Sequence, residues 1–358
     1  LFLSGLTLLF LIVPFYGHPN QGWPSLALPY NTSAWSVVSW IIAAGLLLLS
    51  LNKQLVYPHL WLFFIVFPLI VILSSYLAVT PDAIGWLFRQ LFILGGLLFF
   101  LVLFQFKLKQ KKIDNALLIL ILATGLQALL GTMQIIAPGE LPSWFPNTGD
   151  TVPRGMFQQV NVLASFLVTG LVIALYLISR PSFRFSSKLT QLCVVVCFTL
   201  SVYIIVASGS RVGLLSMLLS IPLVLLCRYK QLRPYKLLLA ILFVTSCGGI
   251  IAGQAGLHKT MDKTMQLTDG TYSSARIAMY SIGLELVEKE PLHGYGIGGF
   301  LSAWNKQSSD FVTRHPEVVL PPVVTHPHNE ILFWMIEGGL LVVTGIVAVI
   351  IGIVLSLY

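Results

Sequence analysis

Charge is what this sequence has least of. Of its 358 residues, 9% are Asp, Glu, Lys or Arg, whereas 56% are hydrophobic. A water-soluble domain carries about 25% charged residues to cover its core, so one soluble globule is excluded. Cysteine is nearly as scarce. Cys193, Cys197, Cys227 and Cys247 lie in or at the ends of apolar runs, with no CxxC and no Cys/His metal spacing, and read as small buried hydrophobes. No Gly-x-Ser-x-Gly elbow and no evident pair of acidic residues in the glycosidase manner is present. A cleavable signal peptide is not expected either. The chain opens at Leu1, without Met or a charged leader, inside an apolar stretch over 1–15, shorter than the ~20 residues that cross a bilayer. It closes at Tyr358 in another apolar stretch, and the expectation is a fragment lacking both natural ends.

What is present is a succession of long apolar runs separated by short polar breaks. They predict an all-α fold, a polytopic transmembrane helical bundle. The expected spans lie near 1–15, 36–51, 59–79, 86–106, 114–137, 160–179, 189–207, 212–227, 236–256 and 331–357. The net charge of +8 does not point to nucleic acid, because the basic residues cluster between apolar runs, where they set topology. Lys53, then Lys107, Lys109, Lys111 and Lys112, then Arg180, Arg184 and Lys188, then Arg228, Lys230, Arg233 and Lys236 fall on alternate breaks. The other short breaks hold Arg89, Arg154 and Arg211. Positively charged loops stay in the cytoplasm, so the N-terminal side is cytoplasmic and the long polar segment lies outside it.

Three regions follow: membrane helices over 1–256, a large extracytoplasmic loop over 257–330, and a tenth membrane helix over 331–358. Within the loop, 273–290 reads as a helix. Ser273 or Ser274 is its N-cap, Ile277, Tyr280, Leu284 and Val287 form an apolar stripe that packs on the membrane domain, and Pro291 follows its end. The glycines of His293-Gly-Tyr-Gly-Ile-Gly-Gly-Phe300 follow no strand, so turn formation accounts for them better than a phosphate loop.

Two groups of residues could carry chemistry. Arg211 in a Ser-Gly-Ser-Arg break, Arg276 in the loop helix and Arg154 before the sixth span stand on the side where basic residues are unfavoured. A guanidinium forks onto phosphate oxygens, which would suit the pyrophosphate of a lipid-linked donor; the plainer reading is an arginine snorkelling to the interface. The second group is Thr325-His326-Pro327-His328-Asn329-Glu330. Asn329 can cap the next helix, and the dipole at that helix start disfavours a charged imidazole. His328 could then accept a proton, although an interfacial histidine pair or a two-His metal site would use the same residues. Glu330 and Glu337 share a helix face, as an interfacial pair of carboxylates or as groups that orient a ring or bind an acceptor.

The order of these pieces resembles a known family. His328-Asn329, nine residues and then Gly339 resemble the His-Asn signature of O-antigen ligases and related glycan ligases. Arg276-Ile-Ala-Met-Tyr280, then Pro291-Leu-His-Gly-Tyr-Gly-Ile-Gly-Gly-Phe300, resemble the loop pattern of that superfamily, and Ser210-Arg211 its Ser-Arg pair. Pro153-Arg154-Gly155-Met156-Phe157-Gln158-Gln159-Val160-Asn161-Val162-Leu163-Ala164-Ser165 is similar to the Gly-x-x-x-Gln-x-Asn-x-x-Ala segment of bacterial protein O-oligosaccharyltransferases of the PglL type, with Val160 where a turn residue is expected. Pro14-Phe15-Tyr16-Gly17-His18-Pro19-Asn20 is similar to the early loop of that group.

The resemblance implies about twelve spans in the full protein, placed in the bacterial inner membrane with the active site facing the periplasm. It implies an undecaprenyl-pyrophosphate-linked glycan as donor and Ser/Thr of an exported protein such as pilin as acceptor, with lipid A-core or a growing polysaccharide as the alternative. A non-enzymatic lipid-glycan transporter is a more distant alternative, because the spans are nearly free of charge. No metal, nucleotide or other cofactor and no nucleic acid is implied. By position, His328 becomes the base, and Arg211 and Arg276 hold the pyrophosphate. Arg154, Gln159, Asn161, His326 and Glu330 become candidates for the donor and acceptor groove.

Overall fold

The computed structural model describes residues 1–16, 29–78, 83–142, 151–157, 159–258, 261, 273–316, 318–321 and 324–356. Every described element is helical, and all ten expected apolar segments are helices. Among the described residues, seven helices are long and apolar enough to cross a membrane, and Phe2–Phe15, Trp61–Leu77 and Arg211–Cys227 are shorter apolar helices. The helices are α1 (Phe2–Thr7, continued by further helical turns to Phe15), α2 (Pro29–Asn52), α3 (Trp61–Leu77), α4 (Ala83–Leu103), α5 (Gln110–Ile136), α6 (Val160–Ile178) and α7 (Lys188–Ala207). After these come α8 (Arg211–Cys227), α9 (Tyr229–Leu232), α10 (Lys236–Ala252), α11 (Ser273–Lys289), α12 (Phe300–Arg314) and α13 (Glu330–Leu355). The chain is thus a polytopic helical membrane protein. It divides into two compact units, Leu1–Ala44 with Lys107–Thr264, and Gly45–Phe106 with Met265–Tyr358.

In the first unit α6 is the central helix. Leu163, Leu167, Leu171 and Ile178 are fully buried along one stripe, packed among α5, α7 and α8. Lipid tails are as apolar as leucine, so helices in a bilayer associate through close packing and buried polar bonds rather than through escape from water. Small residues supply the closeness. A Cβ on Gly125 of α5 would come within 2.2 Å of Cys197 Sγ on α7, so the two backbones meet where the glycine leaves room. Of the four cysteines expected to be buried, Cys197 is, Cys193 and Cys247 are half-buried, and Cys227 at the end of α8 is exposed.

The second unit has a membrane part and a polar part. α3 runs alongside α13, with Gly345 and Gly352 of α13 seated against Phe67 and Phe63. α11 and α12 pack on the start of α13 around Met279, Ile282, Leu286, Phe300, Trp304, Leu332 and Ile336. Each large side chain buried here contributes about 2 kcal/mol. The expected helix over 273–290 is present as α11, and its inward face holds half of the expected stripe. Val287 is buried and Tyr280 packs against the same core, but Ile277 and Leu284 are 59% and 52% exposed, and Ala278, Met279, Ile282 and Leu286 are buried. The apolar residues of this helix outnumber one stripe, so composition did not fix which of two neighbouring stripes meets α13. The expected caps Ser273 and Ser274 have side chains outside the described residues. α12 was not anticipated, since its apolar face rests on only a few large residues, chiefly Phe300, Trp304 and Phe311.

α13 is broken. Gly339 has φ 62° and ψ −164°, a conformation essentially confined to glycine. The segment 291–298 enters the break with its own main chain: Tyr295 N–H donates to Ile336 O at 2.9 Å and Leu340 N–H donates to Pro291 O at 2.8 Å. Backbone groups freed by the break are therefore paired again, as a membrane helix requires. The glycine-rich stretch does form turns, as expected, with positive φ at Gly294, Gly296 and Gly298.

Candidate active site

His328 stands two residues before α13. The chain leaves buried Val324 and Pro327 and must turn sharply to enter the helix, and His328 makes that turn with φ 54°. Left-handed backbone is uncommon outside glycine and costs on the order of 1–3 kcal/mol, although histidine tolerates it better than most residues. Asn329 then returns to extended backbone and caps α13 as the sequence predicts, its Oδ1 accepting from Leu332 N–H at 3.1 Å. His326 lies beside His328, ring centroids 4.4 Å apart and edge to face, and its Nδ1 meets Thr325 Oγ1 at 3.1 Å.

The His328 imidazole is held below the ordinary histidine range. Partial desolvation of this otherwise exposed residue is the main cause, followed by the charges of His326 and Arg276. All three act against positive charge on the ring and favour its neutral form. Arg276 on α11 is thus one of the charges that bear on the His328 ring. Glu330 is exposed in the first turn of α13, where a carboxylate complements the helix dipole.

α11 is fixed to α12 by a charged clamp. Arg314 donates to Glu285 at 2.6 Å, Gln307 donates to Glu285, and Lys289 donates to Gln307. Hydrogen bonding from Arg314 pulls the Glu285 carboxyl below its usual range. The helix carrying Arg276 is thus tied at its far end to a second helix.

Glu337 does not form the interfacial pair of carboxylates expected with Glu330. It is fully buried, forms an ion pair with Arg89 of α4 at 2.6 Å, and accepts from Gly298 N–H at 3.1 Å. Arg89 also lies over the rings of Phe333 and Trp334, 4.9 and 5.7 Å from their centroids. Charges inside apolar helices are rare without a partner. That was the available signal, but the partners are 248 positions apart.

Arg211, Asn161, Gln159 and Arg154 belong to the first unit, and each has a defined place there. Arg211 is the first residue of α8. Ser210 is its N-cap, with Oγ accepting from Gly213 N–H at 3.1 Å and donating to Asn161 Oδ1 at 2.8 Å. Gln159 caps the start of α6 through its backbone and is exposed. Arg154 and Gly155 are gripped from α5: both N–H groups donate to Gln134 Oε1, at 2.7 and 2.8 Å, and Gln134 Nε2 donates to Gly155 O at 3.0 Å. Met156 N–H donates to Gln127 Oε1 at 2.9 Å. Sequence reasoning missed Gln127 and Gln134, although two glutamines seven apart in an apolar span mark one polar face. Gln158 and residues 17–20 of the early-loop resemblance lie outside the described residues.

Two family descriptions match this chain. Residues 195–350 match the model of the O-antigen ligase family, and residues 153–178 match the model of the protein glycosylation ligases. No curated protein and no solved structure matches. The first match contains Ser210-Arg211, Arg276, the glycine-rich stretch, His328-Asn329 and Gly339, and the second contains Arg154, Gln159 and Asn161. Both support a ligase activity in glycan transfer. Over 195–350 the chain is similar to the O-antigen ligase family, and over 153–178 it is similar to the protein glycosylation ligases.

Proposed function

We propose that this protein transfers an oligosaccharide from undecaprenyl pyrophosphate to Ser or Thr hydroxyls of exported proteins, with His328 as general base and Arg276 and Arg211 holding the pyrophosphate. The observation that carries the reading is the His328 site: an imidazole in left-handed backbone just before α13, beside His326 and with its pKa lowered in part by Arg276. The distribution of Lys and Arg along the chain supports an inner-membrane protein with this site on the periplasmic side.

The acceptor hydroxyl attacks the anomeric carbon. As the new C–O bond forms, the bond from that carbon to the phosphate oxygen breaks, and undecaprenyl pyrophosphate leaves with the electron pair. His328 takes the hydroxyl proton, an effect worth roughly 10²–10⁴ in rate. The guanidinium groups stabilise charge that grows on the departing oxygen, so a general acid is not required. Direct attack inverts the anomeric centre. Arg154, Gln159, His326 and Glu330 are assigned to the edges of the donor and acceptor groove. No metal or other cofactor enters this scheme.

The segment 153–178 favours a protein acceptor, whereas the region 195–350 is equally that of an O-antigen ligase acting on lipid A-core. Purified His328→Ala protein, given lipid-linked donor and a pilin-type acceptor, should lose transfer by at least about 10²-fold; wild-type rates would reject the base assignment. Transfer by the unaltered protein to lipid A-core but not to protein would move the assignment to the second acceptor.

A further inference from the structure

We propose that Asn161 is a positioning residue that acts through Ser210 to hold Arg211 ready for the pyrophosphate of the donor; this rests on the reading of Arg211 given above. Two devices converge on the turn that presents Arg211. From α7, Ser208 Oγ accepts from Ser210 N–H at 3.2 Å and donates to Ile205 O at 2.7 Å, and Gly209 between them has φ 64°. From α6, Asn161 Oδ1 accepts the hydroxyl proton of Ser210. That hydroxyl is simultaneously the acceptor for Gly213 N–H. Asn161 therefore fixes the rotor of the cap, which keeps its lone pair aimed at the first turn of α8.

The two helix starts also touch. Three residues after Asn161, on the same face of α6, Ala164 is fully buried. A Cβ on Gly213 would lie 2.5 Å from that of Ala164, so only a small residue on each side allows the approach. The Asn-x-x-Ala spacing in the glycosylation-ligase segment thus has a physical use on α8. Asn161 supplies the bond and Ala164 the clearance.

An arginine on a long flexible stem binds an anion more tightly when its anchor is already ordered, because less freedom is lost on binding. Asn161 is itself exposed. Its replacement is expected to loosen this anchor without emptying any part of the core.

The test uses the full chain in detergent, inorganic pyrophosphate as a competitive inhibitor, and steady-state transfer from a lipid-linked donor. KM and the inhibition constant do not depend on how much of a preparation is folded, so they separate positioning from damage. Asn161→Ala should raise both by roughly five-fold, the effect of losing one ordinary hydrogen bond. Ser210→Ala should do the same, Ser210→Thr should restore the wild-type values, and Asn161→Ala combined with Arg211→Gln should be no weaker than Arg211→Gln alone. Asn161→Ser, too short to reach the cap, is the second variant should alanine fail to express. Wild-type constants for Asn161→Ala beside an impaired Arg211→Gln would overturn the positioning role while leaving the arginine assignment intact. Additive losses in the double variant would also overturn it. Wild-type constants for Arg211→Gln would reject the arginine assignment and, with it, the role of Asn161.

Discussion

Replacing Gly339 with alanine tests whether the break in α13 is built into the fold. Two costs arise at this position. The backbone sits at φ 62° and ψ −164°, which charges an L-residue on the order of 1–3 kcal/mol. The new methyl would also lie 2.3 Å from Leu292 O, 2.4 Å from Leu292 C and 2.6 Å from His293 N. These are main-chain atoms, so no rotamer change relieves the contact, and overpacking adds roughly 1–3 kcal/mol. Together the substitution should cost about 4 kcal/mol unless 291–298 lifts away from the helix. Thermal unfolding of purified protein in one detergent is the assay, with Gly96→Ala as the control. Gly96 lies inside α4 with nothing near its added Cβ, and alanine there should be neutral or stabilise by up to about 1 kcal/mol. Melting several degrees lower for Gly339→Ala, with Gly96→Ala unchanged or higher, is expected. Equal melting of Gly339→Ala and the unaltered protein would refute the account of the break.

Two further outcomes follow from the site. Because His328 must be neutral to act as a base and its pKa is lowered, kcat/KM should rise with pH through a midpoint below the ordinary histidine value of about 6.5. Arg276→Gln removes one positive neighbour, so the normalised acid limb should move to higher pH whatever happens to the absolute rate; an unmoved limb argues against the coupling. Glu337→Gln leaves Arg89 without its partner and should destabilise by roughly 1–3 kcal/mol, less than the 3–5 kcal/mol of a fully buried pair because the Arg89 side chain is 30% exposed. Adding Arg89→Gln should cost less than the sum of the single changes in thermal unfolding, and strict additivity would mean that the pair does not interact.

The legible parts of this protein were those encoded locally. Apolar runs gave the helices, Asn329 announced the start of α13, and the Ser-Gly-Ser-Arg break gave the turn before α8. Each rests on neighbours within four residues. The Arg89–Glu337 pair, the glutamine clamp on Arg154 and the Asn161–Ser210 bond join positions far apart in the chain, and single-residue chemistry indicates a need for a partner without saying which. The inner face of α11 was legible only in part, at Tyr280 and Val287, for a related reason. A helix with apolar residues on adjacent stripes has its orientation decided by α12 and α13, whose shapes no local pattern contains. Gly339 was visible as part of a signature, but the break became apparent only with the segment that fills it.

The bonds that re-pair the backbone of α13 at its break, Tyr295 to Ile336 and Leu340 to Pro291, are between main-chain atoms. Such bonds are indifferent to side-chain identity, so most residues of 291–298 could be exchanged without disturbing the junction, provided the glycines remain. A change in length is another matter. One residue inserted or deleted between Pro291 and Tyr295 would shift every donor against its acceptor at once. This junction is therefore expected to tolerate variation in composition and to resist variation in spacing, because it measures the chain rather than reading it.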